Sequence, residues 1–356
     1  MKIHKSEIVP KLKQLKAFLP TKNIIPAAEG VLFHKNMLIA NSLELAISTP
    51  VNSDSGESFI ITPSAIDFIM NVPNDEITIE VKNEKLYVKC GKARASFGFL
   101  SPDGFPTKEL YDLEETEADF ECDAEEFMQE ISRVIFACDK TENPARPIYS
   151  AVKFQTRKGI LNMIASDTQR VAWNKMRCAA DIDISILRRD LQKILSLGLS
   201  GKLKIFITDN KKLAFKTDRY SIYSNTISGN YMDFPKLFSK AESNCLKLEI
   251  ETEPFLEALK RAAVCGKSEP VKLTFAPESL TIELNAAISE FSEEVPVLNS
   301  ELEGPVIIGF NAVFLIEALK ATESKSVTIG ISHSTDPLLM RSDTLEQMVL
   351  PVRLGH

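Results

Sequence analysis

Two helical patterns recur three times along the chain, and the distance between recurrences is the length of a whole domain. Apolar residues at helical spacing, Ile8/Leu12/Leu15, return as Phe127/Ile131/Val134 and again as Phe255/Leu259/Ala262. A second series pairs Ile66 with Met70, Leu191 with Leu195 and Leu315 with Leu319, each at the i, i+4 spacing that puts both residues on one helix face. In this series the step from Ile66 to Leu191 is 125 residues and the step from Leu191 to Leu315 is 124. Solenoid repeats run to ~20–50 residues, whereas a period this long is that of a domain. Similar units joined head to tail through similar interfaces generate rotation, so such a chain is a candidate segment of a ring.

Each helical pattern is followed by runs that alternate apolar and polar residues. After the second helices come ITIEVKNEKLYVKC (77–90), the run from Lys202 to Thr217, and SVTIGISHSTDPLLMRS (326–342). After the first helices come GVLFHKNMLIAN (30–41), AVKFQTRKGILNMIAS (151–166) and VKLTFAPESLTIELN (271–285). Period-two alternation broken by Asn, Asp or Ser-Thr-Asp turns is the signature of half-buried antiparallel hairpins. Each half-repeat therefore reads β-α-β-β-β with its helix on one face of a small sheet, and the fold class is α+β. The pattern restarts in the acidic stretch Asp112–Asp119 and the polar stretch Ser239–Asn244. This predicts three similar domains, at 1–117, 118–243 and 244–354, joined by short, fairly stiff connectors.

A hydrophobic content of 44% in 356 residues is enough for a core in each domain. The net charge of −7 argues against a protein that coats nucleic acid by bulk attraction. Charge is uneven between helices. The segment Lys5–Lys16 carries Lys5, Lys11, Lys13 and Lys16 against Glu7, and Ile186–Leu195 carries Arg188, Arg189 and Lys193 against Asp190. By contrast, Asp123–Ile135 holds four acids and one base. The six cysteines form no C-x-x-C pair, which suits reduced thiols in the cytoplasm. The N-terminus lacks an uninterrupted apolar stretch, and no run approaches the ~18–20 apolar residues that span a bilayer. The expectation is a cytoplasmic protein without a membrane partner.

Motifs that carry chemistry are missing. The four histidines are far apart and no H-E-x-x-H occurs, so no metal site is expected. The stretch Gly198–Leu203 is too short between its glycines for a phosphate loop, and Leu203 stands where a Ser or Thr belongs. Neither G-x-S-x-G nor G-x-G-x-x-G is present. No catalytic residue and no cofactor are expected.

Four short segments, in order and correctly spaced, carry a family resemblance. Ala165-Ser-Asp-Thr-Gln-Arg-Val-Ala172 is similar to an A-T-D-G-H-R-L-A motif, and Gly229-Asn-Tyr-Met-Asp-Phe234 to G-x-F-P-D-Y. Ile308-Gly-Phe-Asn311 with Leu315 and Leu319 matches I-G-F-N-x-x-x-L-x-x-x-L, and Met348-Val-Leu-Pro-Val-Arg-Leu354 matches V-V-M-P-M-R-L. Together they resemble the bacterial DNA polymerase III beta subunit, the sliding-clamp family. The resemblance implies a DNA-clamp fold in which two chains, joined head to tail as a homodimer, form a pseudo-six-fold ring. Helices would line the hole and double-stranded DNA would be encircled without regard to sequence. The implied partners are the DNA polymerase III alpha subunit, the clamp loader and other proteins with clamp-binding motifs, and the implied place is the nucleoid.

Carried over residue by residue, the partner-peptide cleft falls on Tyr149, Ser166, Arg170, Val171, Met232, Lys236, Leu237, Met348, Val349, Leu350, Pro351, Val352, Arg353 and Leu354. Val171, Met232 and Leu237 would receive leucine and aromatic side chains of a partner peptide, with Arg170 and Arg353 at the rim. The implied DNA contacts are Lys22, Arg94, Asn143, Arg146 and Arg188, and the implied dimer interface joins Phe105 and Pro106 to Val264 and Cys265. Some positions depart from the family pattern. Thr168-Gln169 replaces its Gly-His pair, Met232 its cleft proline, and Pro147-Ile148 two aromatics that approach DNA in some clamps. The uneven charge of the helices leaves one alternative open: a clamp-fold protein that binds partner peptides as a competitor or regulator without loading on DNA.

Overall fold

In the computed structural model, one β-α-β-β-β unit occurs six times in succession among the described residues, which are 1–20, 25–53, 55–73, 75–106, 116–208, 212–266 and 269–354. The helices of these units are α1 (Lys5–Lys16), α2 (Pro63–Asn71), α3 (Ala124–Ile135), α4 (Arg188–Leu195), α6 (Thr252–Cys265) and α7 (Ala312–Lys320). A further helix, α5 (Phe234–Glu242), lies outside the repeat. The last repeat shows the pattern: strand Val306–Asn311, α7, then strands Ser326–Ile331, Leu338–Ser342 and Leu345–Val349. The Asn311 side chain caps α7 by accepting from the Val313 amide at 2.9 Å, which satisfies one of the helix's otherwise orphaned donors.

The first apolar series is buried throughout, with Ile8, Leu12, Leu15, Phe127, Ile131, Val134, Phe255, Leu259 and Ala262 all at or below 1% exposure. In the second series Ile66, Leu191, Leu315 and Leu319 are buried, but Met70 and Leu195 are only half-buried. Ile69 and Ile194, one residue earlier, take the deep positions instead. Positions i+3 and i+4 flank the same stripe, and in these short helices the i+3 side chain lies nearer its centre. The polar run Ser239–Asn244, expected as a connector, is largely the end of α5, which Asp233 and Pro235 initiate.

The described residues form two compact units. The first comprises Met1–Phe127 and Arg189–Thr226. It holds a four-stranded antiparallel sheet in the order Lys2–His4, Glu76–Lys82, Lys85–Cys90, Ala93–Gly98. It also holds an eight-stranded sheet in which Leu45–Pro50 of the first repeat pairs with Ser221–Ser224 of the second. The second unit comprises Met128–Arg188 and Ile227–His356 and is built on one twelve-stranded sheet. Within it Arg170–Arg177 of the second repeat pairs with Leu345–Val349 of the third, Val171 opposite Met348. The second repeat thus contributes strands to both units.

The core of the second unit centres on Phe255, Leu259, Phe275, Phe310, Leu315, Ile329 and Met340. In the first unit a smaller cluster gathers Leu32, Ile39, Phe206, Tyr223 and Phe105. Phe105, expected at the joint between chains, is only 6% exposed and packs in the core of its own unit. The Pro106 carbonyl is likewise occupied, accepting from Asn41 Nδ2 at 2.8 Å. Val264 at the end of α6 is 87% exposed and free for contact, while Cys265 is half-buried.

Candidate partner-binding site

The hairpin turn between strands Ile160–Ser166 and Arg170–Arg177 is held by side chains. Asp167 Oδ1 accepts from the amides of Gln169 and Arg170, both at 3.0 Å, and Ser166 Oγ accepts from the Thr168 amide at 3.1 Å. Thr168 has φ 75°, a left-handed conformation that glycine adopts freely and a β-branched residue resists. Holding Thr168 in this conformation places strain of about 1–2 kcal/mol in the turn.

Arg170, expected at the rim, is instead a buried strut, only 3% exposed. Its Nε donates to Asp167 Oδ2 at 2.9 Å, its Nη2 to the Phe136 carbonyl at 3.0 Å, and its Nη1 lies 2.6 Å from Glu317 Oε2 on α7. The guanidinium also sits 4.3 Å above the Phe314 ring. A charge this deep is tolerated only because nearly every edge is partnered. Burial pushes the Glu317 carboxyl up, but Lys140 and Arg170 outweigh it and hold the group below its ordinary value. Behind the turn Ser166 is fully buried, and burial pushes the Cys138 thiol up to about 12. Cys138 is therefore an inert packing group.

The C-terminal tail continues from the paired strand. Leu350 donates its amide to the Gln169 carbonyl at 2.9 Å, and Val352 donates to the Gly309 carbonyl at 2.8 Å. Gly309 must be glycine here, because a Cβ would lie 2.7 Å from both Val352 O and Leu354 Cδ2. The tail borders a groove of about 530 Å³ whose wall includes Ile307, Ser334, Thr335 and residues 351–354. Ile307, Leu350 and Val352 are 45, 40 and 38% exposed, which leaves accessible aliphatic surface on the tail and on the strand it bridges. Ile307, Ser334 and Thr335 were missed in the sequence. The signal for Ile307 was parity: it follows Val306 and precedes the buried Ile308 on an alternating strand.

A second apolar wall comes from α5 and the segment before it. Val171, Trp173, Phe234, Phe238 and Met348 form one cluster against which Met232, Leu237 and Tyr231 pack. Tyr149 meets Tyr231 edge-on at 5.6 Å. The helix is held to the sheet by Trp173 against Phe238, 5.4 Å between centroids, and by Arg341 Nη2 donating to Glu242 Oε2 at 2.9 Å. Lys236 and Arg353 are exposed cations. The structure thus brings Val171, Met232, Leu237 and Met348 together and puts Ser166 and Arg170 behind them.

The expected DNA contacts are more scattered. Asn143 and Arg146 are exposed on one segment, where the Arg146 amide donates to the Asn143 carbonyl at 3.0 Å. Arg188 is half-buried at the start of α4, and Lys22 lies outside the described residues. Arg94 is exposed on a strand whose Phe97 faces α2, 5.8 Å from Phe68. Alternation turns Arg94 away from that helix. On α1, Lys11 and Lys16 pair with Glu7 and Asp67 at 3.3 and 2.5 Å, and Lys5 donates to the Val72 carbonyl at 2.5 Å.

Among the described residues no group of His, Cys, Asp and Glu is disposed to hold a metal ion, and no helix is long and apolar enough to cross a membrane. Repeated β-α-β-β-β units that continue one another's sheets, with a C-terminal tail bordering an apolar groove, define the DNA-clamp class of proteins. Residues 1–109 match the DNA polymerase III beta subunit, N-terminal domain, and residues 239–353 its C-terminal domain. The beta sliding clamp of Bacillus subtilis (strain 168) is 24% identical over 382 residues, spanning 99% of this chain and 98% of its own. That of Chlamydia pneumoniae is 24% identical over 369 residues, with the same coverage. The solved DNA polymerase sliding clamp from Bacillus subtilis superposes with a TM-score of 0.88 at 22% identity, covering 99% of both chains. The chain belongs to the DNA polymerase III beta subunit family, the bacterial sliding clamps.

Two substitutions test the turn and the tail. Thr168→Gly removes the left-handed strain at some cost in chain entropy and should stabilise the protein by about 0.5–1 kcal/mol in chemical denaturation. An unchanged or lower midpoint would mean that the turn is not strained. Gly309→Ala should dislodge the tail. Calorimetry with a peptide of the Gln-Leu-x-Leu-Phe kind should then show affinity reduced at least tenfold while the chain stays folded by circular dichroism. Wild-type affinity would show that the tail is no part of the site.

Proposed function

We propose that the chain works as a DNA sliding clamp: a homodimeric ring that encircles duplex DNA and tethers polymerase and other partners, doing no chemistry of its own in the cytoplasm. Its three clamp domains are 1–117, 118–243 and 244–354. The observation that carries this reading is a repeated way of joining. The last strand of a first half-repeat pairs antiparallel with the last strand of the next repeat's second half, in Leu45–Pro50 with Ser221–Ser224 and in Arg170–Arg177 with Leu345–Val349. Applied a third time, the rule leaves two open edges, Ser289–Pro296 of the third repeat and Ala93–Gly98 of the first. Pairing these between copies is a heterologous contact that closes after two chains.

Side chains support that joint. On Ser289–Pro296, Val295 is buried in the core and Glu293 pairs with Arg261 of α6 at 2.5 Å, so Glu290 and Glu294 face away from the helix. Arg94 faces away from α2 on the other edge. An antiparallel register that sets Gly98 against Glu290 sets Arg94 against Glu294, and exposed Val264 adds apolar area nearby. The partner peptide would seat its leucine and aromatic side chains on Val171, Met232, Leu237 and the groove beside Pro351–Leu354. Asn143 and Arg146, with Arg188, would make the loose phosphate contacts that allow sliding. Retention then comes from topology, because tight counterion-releasing contacts would arrest movement.

Light scattering should give twice the 39.7 kDa chain mass at micromolar concentration. Arg94→Glu should weaken each joint by about 1–2 kcal/mol and shift the population towards monomer, and adding Glu294→Arg should restore the dimer. A dimer indifferent to both changes would place the joint elsewhere. Loaded by its clamp loader on nicked circular DNA, the protein should stay bound through gel filtration and leave when the circle is linearised. Equal retention on both forms would indicate ordinary binding.

A further inference from the structure

We infer that Glu317 is a positioning residue for the partner cleft: acting through Arg170 and Asp167, it holds the turn whose Gln169 carbonyl fixes the C-terminal tail. This rests on the tail and groove being the peptide site, but the relay itself is read from geometry. Glu317 lies on α7 in the third repeat, and the turn lies in the second. Its Oε2 sits 2.6 Å from Arg170 Nη1, and its Oε1 takes Lys140 Nζ at 2.6 Å. Arg170 Nε in turn reaches Asp167 Oδ2 at 2.9 Å, and Asp167 Oδ1 holds the amides of Gln169 and Arg170 at 3.0 Å. The Gln169 carbonyl accepts from Leu350 at 2.9 Å.

Two features make this chain of contacts directive. The guanidinium is 3% exposed, so water cannot replace a lost carboxylate. Withdrawing the Glu317 charge leaves a buried cation with Asp167 as its one remaining anionic partner among the described residues, and Arg170 must shift towards it. The turn being pulled on is also the strained one, with Thr168 at φ 75°. A strained backbone keeps its conformation only while its surroundings over-determine it. Releasing one restraint lets Thr168 return to negative φ and swings the Gln169 carbonyl away from Leu350. The other tail anchor refers to the same helix, since Val352 bonds to Gly309 on the strand that ends in Asn311, the cap of α7. Both tail anchors are thus set by α7, although Glu317 is not among the residues that line the groove.

The test uses the full-length protein carrying Glu317→Gln, which keeps shape and removes charge. Calorimetry with the Gln-Leu-x-Leu-Phe peptide should show affinity reduced roughly tenfold, a typical coupling between sites. Native-state hydrogen exchange should show the Leu350 amide opening faster while that of Ile329, in the core of the same sheet, is unchanged. The double variant with Asp167→Asn should lose less than the product of the two single losses, because both act on one path. Lys140→Ala, which leaves the Arg170 contact in place, should bind within about twofold of wild type; a loss equal to that of Glu317→Gln would overturn the assignment to Arg170. Wild-type affinity and wild-type Leu350 exchange in Glu317→Gln would overturn the relay with the cleft reading standing. If the unaltered protein fails to bind the peptide, the cleft reading is what fails, and Leu350 exchange alone decides the relay.

Discussion

An exposed strand edge is a row of unpaired amides and carbonyls, and what becomes of those edges governs this structure. A β-α-β-β-β unit buries one face of its small sheet under its helix but cannot close the sheet on itself. Here Leu45–Pro50 and Arg170–Arg177, both last strands of a half-repeat, are paired by strands of the following repeat. Backbone hydrogen bonds across these joins turn separate repeats into continuous sheets of eight and twelve strands. The groove beside the tail follows from the second join: pairing Arg170–Arg177 with Leu345–Val349 delivers the tail to the turn at Asp167–Gln169, so the groove is a by-product of edge satisfaction.

The same join concentrates unfavourable features. Thr168 is held left-handed, Arg170 is buried with its charge, and the Tyr231 hydroxyl is buried. Burial pushes the Tyr231 phenol well above its ordinary range. Departures from the most stable local choice gather where a protein must hold a surface ready for a ligand. Elsewhere, as in the core around Phe255, Phe275 and Phe310, packing is apolar and fully buried.

Charge follows a different logic. A protein retained by encirclement needs little attraction to phosphate, and the net charge of −7 is compatible with that. The basic helix α1 illustrates the restraint, since Lys5, Lys11 and Lys16 are engaged with protein groups. Such pairs are worth little to stability on a surface, but they lower the density of cations free for DNA.

The repeating unit, the buried helix faces and the segments that the fold brings together around the tail were legible in the sequence. Periodicity reports which side of an element is buried, and that depends on local geometry alone, so Ile8/Leu12/Leu15 and its counterparts could be read directly. The tail and the residues Val171, Met232 and Leu237 were legible through family motifs in register. What periodicity cannot report is which neighbour occupies a face or an edge. The burial of Phe105 and of Arg170 was decided by strands and helices distant in the chain. So was the part of Ile307, Ser334 and Thr335 in the groove, because they meet the tail only after the third repeat's sheet has assembled. The depth of Ile69 over Met70 belongs to the same category, since a stripe's flank and its centre differ only in what packs against them.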